Sequence, residues 1–107
     1  MQRIGYMIKV KSDQVAQYIE EHKALPPELL ADIQAAGIRN SSLWMGPDGL
    51  VFGYLECDDW QAVLDHMETS GANEAWQQRM HAYQEPPPGA EGESMWMQTL
   101  ELTCLTD

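Results

Sequence analysis

Ile4, Tyr6, Ile8 and Val10 alternate with Arg3, Gly5, Met7 and Lys9, a period of two that predicts a half-buried strand over Arg3 to Lys11. Ser12 and Asp13 follow as helix N-cap residues. From Val15 the spacing becomes helical, with Val15, Tyr18, Ile19, His22 and Leu25 on one face. Pro26 and Pro27 cannot continue a helix, but a proline can start one. Two helices are therefore expected, over about residues 13–23 and 27–36, the second closed by Gly37. Ile38 to Met45 and Leu50 to Cys57 read as strands. Gly46-Pro47-Asp48-Gly49 joins them as a tight turn, giving a hairpin. Asp58 and Asp59 cap a helix from Trp60 to Met67. Ser70 and Gly71 break it, and a further helix is expected over Asn73 to Tyr83. Glu85 to Glu93 has loop composition, and Ser94 to Leu105 alternates as a last strand.

The order β-α-β-β-α-β predicts an α+β, ferredoxin-like split β-α-β fold: an antiparallel sheet with helices on one face. One domain over residues 1–107 accounts for the whole chain. The strands carry aromatic residues on both faces, notably Trp44, Tyr54 and Trp96. A small domain that left its second sheet face wet would waste apolar area. The simplest cover is a second copy of the chain, so a homodimer of the dimeric α+β barrel type is expected.

Charge narrows the partners. Six Lys and Arg against seventeen Asp and Glu give a formal charge of −11. Such a surface repels phosphate backbones and anionic membrane surfaces, so neither nucleic acid nor membrane is an expected partner. No apolar run reaches the ~20 residues of a membrane span, and no signal peptide is visible. Two cysteines in no metal-binding or redox spacing read as reduced thiols, which points to the cytoplasm. What remains is a small-molecule ligand, neutral or cationic, or a protein partner.

No phosphate-loop, dinucleotide, zinc-protease or nucleophile-elbow pattern occurs. Candidate chemistry therefore rests on histidines, carboxylates and four tryptophans. Tyr18 and His22 are spaced i, i+4 and share one helix face. Histidine changes charge near neutral pH and suits proton transfer there. The same spacing also describes an amphipathic helix with a core tyrosine and a half-exposed terminal histidine. Asp58, Asp59, Asp65 and His66 could converge on a metal, but as helix-start residues the aspartates read first as caps. Tryptophan faces suit the apolar side of a pyranose, and equally a core or an interface.

Tyr18-Ile-Glu-Glu-His22, then Pro27-Glu28-Leu29, then Gly37-Ile-Arg-Asn40, together with Asp13 after the first strand and Trp76 four residues before Met80, resemble the L-rhamnose mutarotase family. The likeness covers nearly the whole chain. It implies a dimeric ferredoxin-like protein that interconverts the anomers of a free sugar, L-rhamnose or a related deoxyhexose, with no cofactor and no metal. It places the family's proton-donating histidine on His22, its sugar-contacting tyrosine on Tyr18 and the first of its two substrate-contacting tryptophans on Trp76. Gln77 stands where the second tryptophan is usual. Ser41 stands where the family has a sugar-binding tyrosine, with Trp44 on the same strand, and Pro26 replaces a tryptophan before Pro27. Two other classes share this fold: a small dimeric oxygenase or lyase, and a non-catalytic ligand-binding domain that has lost the lining.

Overall fold

The computed structural model describes residues 1–89 and 96–106. Strand β1 (Gln2–Val10) is followed by helices α1 (Val15–His22) and α2 (Pro27–Ala35). Strands β2 (Arg39–Met45) and β3 (Leu50–Cys57) come next, then helices α3 (Trp60–Glu68) and α4 (Gly71–His81). Two short strands, β4 (Gln84–Glu85) and β5 (Gln98–Leu100), close the chain. The sheet order is β2-β3-β1-β4, every pairing is antiparallel, and β5 also pairs with β1. β4 meets Lys9 and Val10 while β5 meets Gly5 to Met7, so two fragments share the edge position where one strand was expected. This is the α+β, split β-α-β arrangement read from the sequence.

Local chemistry explains most element ends. Asp59 caps α3 by accepting from the backbone N–H of Gln61 and Ala62. Ser70 caps α4 by accepting from Asn73 N–H, and its own hydroxyl hydrogen-bonds Asp32 of α2. That cap starts α4 at Gly71, two residues before the expected Asn73. Pro27 opens α2, and Gly37 follows it at φ 90°, a conformation glycine adopts without cost. The cap expected from Ser12 and Asp13 does not form: Gln14 precedes α1, with no side-chain hydrogen bond. The last strand is also shorter than its alternation suggested. Residues 90–93 of the expected loop, and Ser94 and Met95 of the expected strand, lie outside the described residues.

The helices cover the sheet face formed by Ile4, Tyr6, Ile8 and Val10 of β1 and by Val51, Leu55 and Cys57 of β3. Two buried clusters form there. One joins Val10 and Val51 to Tyr18, Leu29, Trp76 and Met80; the other joins Tyr6, Leu55 and Cys57 to Val63. On the opposite face the register aligns Trp44, Phe52 and Met7 across β2, β3 and β1, and beside them Tyr54, Gly5 and Leu100. Trp44, Phe52 and Leu100 are all exposed. Trp96, expected within the last strand, instead precedes β5 and stacks on His81, with ring centroids 4.1 Å apart and planes 15° from parallel. Among the described residues no helix is long and apolar enough to cross a membrane.

Candidate active site

α1 ends on His22, and that position fixes the ring. His22 Nδ1 lies 2.8 Å from the backbone carbonyl oxygen of Tyr18, one turn back. A carbonyl only accepts, so Nδ1 carries the hydrogen and donates it. Nε2 is then the atom that gains or loses a proton. The Tyr18 and His22 rings pack at 4.3 Å between centroids. Trp76, from α4, meets His22 in a T-shaped contact at 5.1 Å and 80°. Behind Trp76 the Arg79 guanidinium lies 5.9 Å from the indole centroid and 2.7 Å from the Glu21 carboxylate.

Tyr18, His22 and Trp76 border a cavity of about 330 Å³ between the helices and the sheet. That volume lies at the lower end of the ~300–1,000 Å³ of small-molecule sites. The inner wall is apolar, from Leu29, Ile33, Leu55 and Val63. Polar groups enter from four directions: Tyr18 and His22 on α1, Ser41 on β2, Asn73 and Gln77 on α4, and Gln84 on β4. An apolar wall with a few placed polar groups suits a ligand that has a C–H face and a hydroxyl rim.

Burial sets the chemistry of the phenols. It pushes Tyr18 up to about 12, against the opposing pull of a hydrogen bond from Gln84. Tyr18 therefore stays protonated at neutral pH: it is a hydrogen-bond donor and not a general base. Burial also raises Tyr6 above the ordinary phenol value, with a hydrogen bond from Ser41 in opposition. His81, stacked on Trp96, is lowered by its partial burial.

Of the residues expected to form a site, Tyr18, His22, Ser41, Trp76 and Gln77 border this one cavity, and Trp44 does not. Successive side chains on a strand point to opposite faces, and Ser41 and Trp44 are an odd number apart. Leu43 takes the cavity side, while Trp44 is 68% exposed and donates from its indole N–H to Ser42 Oγ, 3.0 Å away. Trp76 is 8% exposed and belongs to the core as well as to the cavity wall. Gln77 sits at the rim, its amide donating to Asn73 Oδ1 at 3.3 Å. The aspartates weighed as metal ligands have other work: Asp58 pairs with Arg39, Asp59 caps α3, and Asp65 accepts from Gln61. Among the described residues no three metal-ligating side chains converge.

Sequence patterning missed Tyr6, Asn73, Gln84 and Trp96 as lining residues. Tyr6 carries the parity of a core strand position and Trp96 that of a sheet position. Gln84 stands between the end of a helix and a proline run, where no periodicity operates.

A sequence model of the L-rhamnose mutarotase family matches residues 3–103. A protein named L-rhamnose mutarotase from Oceanobacillus iheyensis is 30% identical over 77 residues, 71% of this chain and 73% of that one. An L-fucose mutarotase from Xanthomonas campestris pv. campestris is 26% identical over 113 residues, covering 100% of this chain and 90% of its own. Among solved structures, an L-rhamnose mutarotase from Formosa agariphila superposes with a TM-score of 0.80 at 18% identity, over 100% of both chains.

Proposed function

The chain belongs to the L-rhamnose mutarotase family, and from that premise we propose that it interconverts the α and β anomers of L-rhamnose or a related deoxyhexose, with His22 as its acid–base group. A mutarotase is an isomerase acting on carbohydrate. The observation that carries the assignment of His22 is its anchoring: Nδ1 is tied to the Tyr18 carbonyl, so Nε2 is left as the exchanging atom at the cavity.

The steps balance on that atom. Imidazolium Nε2–H gives its proton to the ring oxygen, the C1–O5 bond breaks, and the anomeric O1–H releases a proton to water at the cavity mouth. The aldehyde turns about C1–C2. The C5 hydroxyl then adds to the other face of C1 and returns its proton to Nε2, while O1 regains one from water. Tyr18 donates a hydrogen bond to a sugar oxygen throughout, and Trp76, Ser41 and Gln77 hold the pyranose. No redox step or group transfer is involved, so the reaction calls for no cofactor. Positioned acid–base catalysis supplies about 10²–10⁴-fold, or roughly 2.7–5.4 kcal/mol. That is enough for a reaction that already proceeds in water.

The fold is also used by oxygenases and lyases, and fold alone does not choose among them. The family membership favours sugar chemistry. Exchange NMR on free L-rhamnose tests it directly: saturation of one anomeric proton should transfer to the other faster with protein than in buffer. Transfer equal to that in buffer, for L-rhamnose and for L-fucose, would sink the assignment.

The assembly belongs to the same reading. The exposed row of Trp44, Phe52 and Leu100 suits burial against a second copy, and a homodimer is proposed on that ground. Sedimentation at micromolar concentration should give a dimer, and Trp44→Glu with Phe52→Glu should give a monomer. A wild-type chain sedimenting at 12.1 kDa contradicts this. The cytoplasm is the proposed compartment, consistent with two free cysteines, one buried and one exposed.

A further inference from the structure

Gln84 is 5% exposed, yet it borders the sugar-sized cavity. Its place follows from β4: pairing of Gln84 with Val10 turns the side chain inward, beside the Tyr18 phenol. The amide has two arms, and it lies close enough to the Tyr18 phenol to pull its pKa down against burial. One arm, Oε1, is enclosed and has no hydrogen-bond partner among the described residues. Exchanging the two arms changes nothing in this count. Tyr18 would then donate to the oxygen, and the amino group would be the spare one. A buried polar group without a partner is costly, and native chains keep few of them. A methionine or leucine would fill the same space without that cost.

We infer that the spare amide arm of Gln84 binds one hydroxyl of the sugar, which makes Gln84 a specificity-determining residue of this pocket. The inference rests on the mutarotase reading. A hydroxyl both donates and accepts, so it satisfies whichever arm faces it. The amide's outermost torsion is broad, so a modest turn brings the spare arm to the cavity surface. Gln84 then links two contacts, since the arm on Tyr18 orients the phenol hydrogen that the sugar also meets. A pocket built to hydrogen-bond a substrate hydroxyl discriminates strongly against an analogue that lacks it, because the site's own polar group is then left bare.

The test is a cycle of two proteins and five sugars. Wild type and Gln84→Met are titrated with L-rhamnose and with its four analogues that each lack one hydroxyl, at C1, C2, C3 or C4. Gln84→Met should bind L-rhamnose about 10-fold more weakly, the scale of one hydrogen bond to a desolvated group. One analogue should bind both proteins alike, while the other three lose as much as L-rhamnose does. The melting temperature should stay level or rise, because an unpartnered buried group has gone. Unchanged L-rhamnose affinity in a folded Gln84→Met, or the same loss for every analogue, overturns the inference. Should that variant not fold, Gln84→Asn draws the amide back from the cavity and must show the same pattern. Failure of the wild type to accelerate anomer exchange is read on the wild type alone. It overturns the mutarotase reading, and this inference with it.

Discussion

His22→Asn should lower catalysed anomer exchange by about 10²-fold or more, the scale of one lost acid–base group. Asparagine is the informative replacement. Its side-chain amide can still donate to the Tyr18 carbonyl that holds His22 Nδ1. It removes the titrating atom Nε2, together with the ring closure that meets Trp76. Sugar affinity should change only a few-fold, because Tyr18, Trp76 and Gln84 still border the cavity. Whatever pH dependence of exchange His22 carries in the wild type should vanish in the variant. Tyr18 cannot take over, since burial pushes its phenol up to about 12. Near-normal exchange in a folded His22→Asn protein would refute the mechanism. It would leave Glu21, tied to Arg79, or His81, stacked on Trp96, as the groups to test next.

The i, i+4 spacing of Tyr18 and His22 made the centre of this site legible. A helix end with a histidine on its apolar face allows few placements. Trp76 was different: its spacing fitted a core position as well as a pocket wall, and the structure puts it in the core and at the cavity. Ser41 and Trp44 show the limit of choosing by residue type, because strand parity places them on opposite sheet faces. β1, β3 and α3 could be read almost to the residue, since the alternation of the two strands and the Asp59 cap of the helix are clear. The sheet edge could not. Gln84 and Glu85 are two polar residues whose strand exists only through pairing with Lys9 and Val10. Gln84 owes its buried place to that pairing alone. Tertiary contact decides such a segment, and no window of local sequence contains it.

Gly53→Ala should be the most damaging small substitution in the sheet, costing about 3 kcal/mol or more, the upper range for overpacking a core. Gly53 pairs with Tyr6 across β3 and β1, and the phenol ring lies over the glycine. A β-carbon at position 53 would sit 2.1 Å from Tyr6 Cζ and 2.2 Å from Cε2. The ring is rigid and packed among Leu55, Cys57 and Val63, so it can yield only by swinging into the cavity it borders. Either Tyr6 leaves its rotamer and its hydrogen bond from Ser41, or β1 and β3 separate. Both deform the cavity wall that Tyr6 and Ser41 share. At roughly 4–8 °C per kcal/mol for a domain near this size, the melting temperature should fall by about 12–24 °C. Gly71→Ala is the control. Nothing lies within 4 Å of its added β-carbon, and it stands in the first turn of α4, so stability should hold or rise slightly. The three nearest atoms all belong to the Tyr6 ring. Tyr6→Leu combined with Gly53→Ala should therefore cost clearly less than the sum of the two single changes. If Gly53→Ala melts with Gly71→Ala, or the pair is additive, Tyr6 is not held across that glycine and the cavity wall is not built this way.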